Sequence, residues 1–250
     1  GVLMAETSDM KPGQKQGSRI LAIIPARAGS KRLPGKNSKL LCSKPLIQWT
    51  IEAAKQSTHL TDILVSTDSE EIASIAQKCE LAVPFMRPDA YAGDKSTAID
   101  VIEHVVGQLR QEHKHYDYIL WLQPTSPLRT SDDIDGAIES LMARNADAVV
   151  SVCECEHSPL WSNTLDADQS MESFLEPFVK NNPRSQALPE FFRLNGAIYI
   201  ARTERLLEEK SFFLERNIFA YKMAKESSVD IDSALDFKLA ELLLAERQSK

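Results

Sequence analysis

Short apolar runs alternate with segments of helical period along most of the chain. Arg19–Pro25, RILAIIP, is almost wholly apolar, the pattern of a strand buried on both faces. From Pro45, the residues Leu46, Ile47, Thr50, Ile51 and Ala54 recur at helical spacing. DILVST (Asp62–Thr67) predicts a second strand, and Asp68 with Glu71 is a capping-box-like start for a helix through Ala76. LAVPF (Leu81–Phe85) predicts a third strand, followed by a helix with Ala98, Val101, Ile102, Val105 and Leu109 on one stripe. DYILWLQ (Asp117–Gln123) predicts a fourth strand. Ser131 is the expected N-cap of a helix carrying Ile134, Ala137, Ile138 and Leu141, which leads into the strand DAVVSVC (Asp147–Cys153).

Apolar strands joined by amphipathic crossovers predict an α/β fold, with a mainly parallel sheet covered by helices on both faces. Such sheets bind ligands beyond the carboxyl ends of their strands, so the loops after Pro25, Thr67, Phe85 and Gln123 are where chemistry is expected. The alternation stops after Cys155. Glu156–Arg193 is polar, holds Pro159, Pro177 and Pro183, and has no sustained period. So long an irregular stretch implies a role of its own, as a lid or an oligomerisation arm. Regular signals return in GAIYIA (Gly196–Ala201), a short helix at Thr203–Glu209, a strand near Phe219–Met223 and a final helix from Ser233 to Arg247. Residues 1–18 are polar and read as a tail outside the fold, leaving 19–250 as one domain with 155–193 as its arm.

The formal net charge of the 250 residues is −7, which argues against a nucleic-acid-binding surface built on many phosphate contacts. No apolar run approaches the roughly 20 residues that span a bilayer. Four cysteines (Cys42, Cys79, Cys153, Cys155) without a secretion signal predict free thiols in the cytoplasm, and Cys153-x-Cys155 lacks the second pair that structural zinc requires.

Against that acidic background one loop is strongly basic. ARAGSKRLPGKNSKL, after the first strand, brings Arg27, Lys31, Arg32, Lys36 and Lys39 together with Gly29 and Gly35. Glycines let backbone N–H groups approach an anion and the cations offset its charge, so a polyphosphate is the natural ligand; a solvated basic turn is the alternative. The P-loop and dinucleotide patterns are both absent. In SVDIDSALDF (Ser228–Phe237), Asp230 and Asp232 lie two apart on extended chain and point the same way. Without a cation between them one pKa should rise. A hard divalent ion suits the pair, while Asp232 or Ser233 could instead cap the final helix and Asp236 is expected to face solvent. LQPTSPLR (Leu122–Arg129) and RPDAYAGDKST (Arg87–Thr97) are polar loops that could bind ligand or merely connect. FFRLNGAIYI (Phe191–Ile200) places Arg193 and Asn195 just before an apolar strand, with Arg184 upstream, and arginines there suit a carboxylate.

IIPARAGSKRLPGKN, LQPTSPLR, FRLNGAIYI and SVDIDSALDF, in this order, resemble the CMP-sialic acid synthetase family, the acylneuraminate cytidylyltransferases. The resemblance runs from about Arg19 to the end of the final helix. It implies a Rossmann-like nucleotidyltransferase fold and an enzyme condensing CTP with a free sialic acid (N-acetylneuraminate or a related nine-carbon 2-keto acid) to give the CMP-sugar and pyrophosphate. It also implies a homodimer in which the projecting arm reaches the partner's site. By position it assigns Arg27, Ser30, Lys31, Lys36, Asn37, Arg87 and Thr97 to CTP, with Lys36 contacting the reacting phosphate. Gln123, Tyr199, Phe212 and Phe213 fall around the sugar, with Arg184 from the partner subunit. Asp230 and Asp232 match the Mg²⁺ (or Mn²⁺) ligands, so Lys36 and Asp232 are the expected catalytic residues. Trp161 departs from the pattern, standing where some members have a lysine directed at the acceptor. The alternatives are a CMP-KDO synthetase, whose phosphate loop also contains RLPGK, a legionaminate or pseudaminate cytidylyltransferase, and a catalytically silent nucleotide-binding homologue. Retention of Lys36, Asp230 and Asp232 argues against the silent homologue.

Overall fold

The computed structural model describes residues 18–29, 33–182, 184 and 187–250. Ile20–Pro25 forms β1, and its alternate side chains enter two different cores, as a doubly buried strand requires. Ile20, Ala22 and Ile24 pack into one core with helices α1 (Leu46–Gln56), α2 (Glu70–Lys78) and α4 (Ser131–Arg144). Leu21 and Ile23 face the other, under α3 (Ala98–Gln111) and α6 (Thr203–Glu209). A third cluster holds α7 (Ala234–Gln248) against Leu41, Leu46 and Leu128.

The six-stranded sheet has the order β4-β1-β5-β7-β6-β8, where β4 is Asp62–Ser66, β5 Tyr118–Trp121, β6 Ala148–Glu154, β7 Phe192–Arg202 and β8 Ile218–Met223. β1 is parallel to both neighbours and β6 is parallel to β8, so the mostly parallel sheet of the sequence analysis is present. β7 is the exception, antiparallel to β5 and β6. Sequence pattern could not foresee it, because the inner part of β7, Ala197–Ala201, is mostly buried, as β1 and β5 are. β2 (Leu40–Leu41) and β3 (Lys44–Pro45) make a small hairpin whose turn residues Cys42 and Ser43 both have positive φ, 47° and 69°. That is the sign pattern of a type I′ turn, without its usual Asn-Gly signature.

The expected strand at Leu81–Phe85 does not form. Leu81, Val83 and Phe85 are half-buried at alternate positions and pack on the cores, so the period is that of extended chain. Pro84 cannot donate to a ladder, and the segment makes no pairing with β4. Helix starts are shifted by one residue from expectation: Ser69 rather than Asp68 caps α2, and Thr130 rather than Ser131 caps α4 in a capping box with Asp133. Asp236 is corrected likewise. It closes a capping box with Ser233 at the head of α7 instead of simply facing solvent.

β6 and β7 continue their pairing to Glu154↔Phe192, and the arm leaves from that end. Its described part holds a single turn at Pro159–Trp161 and a short helix, α5 (Pro177–Asn181), anchored by buried Val179. Arg193 lies within β7, not before it. It grips a carboxylate of its own chain, donating to both oxygens of Glu156 at 2.7 and 3.1 Å. The Arg193 hydrogen bond holds the Glu156 carboxyl down at about 2. A depressed carboxyl pKa stabilises the fold above the ordinary glutamate range, and that contribution is lost as pH falls through the folded value. Both side chains are partly exposed, so Glu156→Gln should cost only about 0.2–1 kcal/mol at pH 7. Urea denaturation should show the difference shrinking as pH is lowered from 4.5 toward 2.

Candidate active site

A cavity of about 530 Å³ opens at the carboxyl ends of β1 and β5. Pro25 and Arg27 reach it from the end of β1, and Lys36 and Asn37 from the basic loop. Trp121, Gln123 and Thr125 reach it from the end of β5, and Thr97 from the N-cap of α3. Tyr199 projects from β7, and Lys210, Ser211, Phe212 and Phe213 come from the turn after α6. Thus Arg27, Lys36, Asn37, Arg87, Thr97, Gln123, Tyr199, Phe212 and Phe213, nine of the residues assigned by position to nucleotide and sugar, line one cavity. Ser30 and Lys31 lie outside the described residues. Arg184 is exposed on the arm and does not line this cavity.

At the basic end of the cavity, loop-to-loop bonds join the lining segments. Ala28 N donates to Asp68 at 2.8 Å, tying the basic loop to the end of β4. Arg27 Nη1 pairs with Asp94 Oδ1 at 2.6 Å, tying it to the loop before α3. Arg87 is buried and spends three of its donors on Ser66 Oγ, Ser66 O and Tyr91 O. Burial lowers its pKa, with repulsion from Arg27 added and Asp68 opposing. Asn37 donates to Arg27 O at 3.2 Å, while its buried Oδ1 has no partner among the described residues.

At the other end an aromatic wall forms around Tyr199. Its ring centroid is 5.6 Å from Phe212 and 6.2 Å from Phe213, the second in an edge-to-face arrangement. Burial raises the Tyr199 phenol pKa and the charge of Asp230 adds to it, so the group stays protonated and able to donate.

Neither Asp230 nor Asp232 is among the residues lining the cavity; Asp230 packs behind its wall, against a bulge in β7. The β6–β7 register shifts between Val150 and Val152, and Gly196 adopts φ +70°. A Cβ at Gly196 would stand a tight 3.3 Å from Asp230 Oδ2 and in ordinary contact, 3.6 Å, with Gln123 Nε2, and the positive φ itself favours glycine. Gln123 donates to Gly196 O at 3.2 Å, and Ile231 N donates to Thr125 O at 2.8 Å, seating Asp230 beside the end of β5. The Asp230 pKa is raised, as the paired carboxylates predicted, but burial is the larger cause. Asp232 and Asp236 add to the rise, while the Thr125 hydroxyl and the charge of Lys36 oppose it. Asp232 is exposed beside it. Two hard carboxylates in this setting fit a divalent cation that completes its shell with water and phosphate oxygens. Among the described residues no cluster of three or more ligating side chains occurs.

Thr125 and Lys210 were not among the assigned site residues. Thr125 sits in a loop the sequence left open between binding and connection, and Lys210 has no motif around it. Conversely, Arg129 and Asn195 prove structural. Arg129 is fully buried, with its guanidinium on the carbonyls of Gln123 and Ala197 and on Thr50 Oγ. Buried Asn195 accepts from Ser151 Oγ at 2.6 Å and donates to Ser228 Oγ at 3.0 Å.

A basic loop, a rigid polar loop and an acidic turn, gathered at the carboxyl end of a mostly parallel sheet, define a nucleotide-handling transferase site. The chain belongs to the cytidylyltransferase family, whose description "Cytidylyltransferase" matches residues 21–249, and it is accordingly a nucleotidyltransferase. It is 40% identical over 231 residues to a CMP-N,N'-diacetyllegionaminic acid synthase of Legionella pneumophila, covering 90% of this chain and 96% of that one. It is 38% identical over 224 residues to an N-acylneuraminate cytidylyltransferase of Escherichia coli, covering 89% of this chain but 51% of the relative, so it spans about half of that protein. The fold is similar to a solved CMP:2-keto-3-deoxy-manno-octonic acid synthetase complexed with CTP, with TM-score 0.69, 18% identity, and coverage of 92% and 100% of the two chains. Among the described residues no helix is long and apolar enough to cross a membrane.

Gly196→Ala should therefore strain the backbone of β7 and push Asp230 away from it. The expected result is at least a tenfold fall in kcat with thermal unfolding lowered, since an L residue in this conformation costs about 1–2 kcal/mol. Steady-state kinetics beside a melting curve separates the two effects, and unchanged kcat would remove the bulge from the site.

Proposed function

We propose that the protein transfers the cytidylyl group of CTP to the anomeric hydroxyl of a free nonulosonic acid of the diacetyllegionaminic type, releasing pyrophosphate. The observation that carries this acceptor is the near full-length match, in both chains, to the Legionella synthase. N-acetylneuraminate, the acceptor that the motifs first indicated, ranks second, because the E. coli relative so named is matched over only half its length. The likeness to the octonic acid synthetase is one of fold and favours no acceptor.

In this reading Arg27, Lys36, Asn37, Arg87 and Thr97 hold CTP, with Ser30 and Lys31 completing the basic loop. Gln123, Tyr199, Phe212 and Phe213 orient the acceptor so that its hydroxyl oxygen meets the α-phosphorus. As the new P–O bond forms, the bond to the β-phosphate oxygen breaks and pyrophosphate leaves; the hydroxyl proton is released. The protein's contribution is positioning and charge stabilisation. Asp230 and Asp232 would hold Mg²⁺ or Mn²⁺, which supplies phosphate charge neutralisation and makes the hydroxyl more acidic. Lys36, whose charge is felt at Asp230, would aim its ammonium at the reacting phosphate and so favour the transition state over bound CTP. We assign the arm to contact with a second copy, which would bring Arg184 to the neighbouring site. Exposed Leu165, Met171 and Phe178 on the arm support that assignment.

The test is pyrophosphate release from CTP with a panel of nonulosonic acids and Mg²⁺. The highest kcat/KM is expected with N,N'-diacetyllegionaminic acid. No release with any acid overturns the reading, and preference for N-acetylneuraminate restores the second one. Lys36→Ala should lower kcat on the order of 10²–10³-fold while CTP still binds. A rise confined to KM for CTP would make Lys36 a binding residue alone.

A further inference from the structure

We infer that His104, on α3, is a positioning residue for CTP: its ring clamps residues 85–91 and so holds Arg87 at the cavity. The inference rests on the cavity binding CTP, as proposed above. His104 does not line the cavity itself. Arg87 does, and it comes from a stretch of chain that no ladder supports. The strand expected just before it does not form, and residues 85–91 hold only the single turn Asp89–Tyr91. Arg87 N donates to Thr67 O at 2.7 Å, and the guanidinium donates to Ser66 Oγ at 3.1 Å and to Ser66 O at 2.9 Å. Its charge is buried, so these acceptors must stay in place, and the chain on either side of Arg87 has to be fixed.

One imidazole touches the chain on both sides. Phe85 meets the His104 ring edge-on, with centroids 5.4 Å apart and planes at 89°. Tyr91 stacks on it, again at 5.4 Å, with planes at 27°. Both are arrangements that aromatic pairs favour. The one other tie across the segment, Arg87 Nη1 to Tyr91 O, is 3.5 Å long and weak. α3 is a firm base for the clamp, because Val101, Ile102, Val105 and Val106 beside His104 are buried in the second core. The buried Nδ1 of His104 has no hydrogen-bond partner among the described residues. The contacts of the ring, and not a bond to that nitrogen, therefore hold the segment, and a phenyl ring would carry no such unpaired atom. Burial and the charge of Arg87 lower the His104 pKa, so the imidazole is neutral at pH 7 and sets no second cation beside the guanidinium.

The experiment measures the Kd for CTP by calorimetry, with Mg²⁺ and no acceptor, beside the melting temperature of each variant. His104→Ala should raise the Kd about tenfold, as expected if the binding-competent segment is populated in about a tenth of the molecules. His104→Phe keeps the ring and should bind CTP within about twofold of wild type. Leu109→Ala, a buried change further along the same helix, is the control: it should melt lower while the Kd stays within about twofold. A merely structural His104 would behave as Leu109 does. Adding His104→Ala to Arg87→Met should raise the Kd less than about twofold further, because the clamp acts through Arg87. Should His104→Ala fail to fold, His104→Leu, which fills space without a flat ring, takes its place in the same comparisons. An unchanged Kd in His104→Ala, a His104→Phe that binds as weakly as His104→Ala, or equal losses with and without Arg87 would each overturn the inference. If wild type binds no CTP, the proposed function falls and this inference with it. Wild-type binding with an unaffected His104→Ala overturns this inference alone.

Discussion

One buried guanidinium sets the geometry of the cavity floor. Arg129 donates to the carbonyl of Gln123 at 3.1 Å, to that of Ala197 at 2.5 Å and to Thr50 Oγ at 2.7 Å, joining the loop after β5 to β7 and to α1. Burial presses its pKa down to about 9, which still leaves it a cation at neutral pH, with Asp133 and Asp230 favouring the charge. Removing such a donor would strand three acceptors, so the segment from Gln123 to Arg129 is fixed as a unit. The remaining bonds radiate from it. Gln123 reaches Gly196 O, Thr125 O receives Ile231 N, and Leu128 O receives both terminal nitrogens of Arg247 on α7. Elements more than a hundred residues apart in the chain are thereby referred to one short loop.

The second determinant is the bulge in β7. An unbroken strand would carry the β6 register past residue 196 without a pause. The shift at Ser151, locked by Asn195 and by Ile198 N donating to Ser151 Oγ at 2.8 Å, creates the left-handed glycine against which Asp230 packs. Sheet irregularity and acidic turn are therefore one feature: the backbone departs from the ladder where a carboxylate must come close.

Much of this was legible in the sequence, because doubly buried strands, helical stripes and glycine-bearing basic loops are local patterns. The order of strands was not. The segment Ala197–Ala201 of β7 is a short, mostly apolar run like β1, and nothing in its residues states that it runs the other way. Leu81–Phe85 shows the limit of period-2 reasoning: alternation reports extended chain, whereas a strand also needs a partner with free donors. Arg193 suggested a bound carboxylate, and it has one, but from Glu156, a residue that hairpin pairing brings near. Lys210 was illegible for a different reason. It lines the cavity only because of the turn that also carries Phe212, and a single lysine after two glutamates carries no pattern.

The paired cations at the cavity rim alter how the protein meets its ionic surroundings. Arg27 and Lys210 do not present bare charge: each already rests against a carboxylate of its own chain, Asp94 and Glu103. An anion entering the cavity therefore exchanges partners with the protein instead of displacing mobile ions from solution. The count of small ions released is then smaller than the number of lining cations, and the logarithmic slope of affinity against salt is correspondingly shallow. When the anion departs, Asp94 and Glu103 return to Arg27 and Lys210, so these two charges are neutralised within the protein whether the cavity is filled or empty.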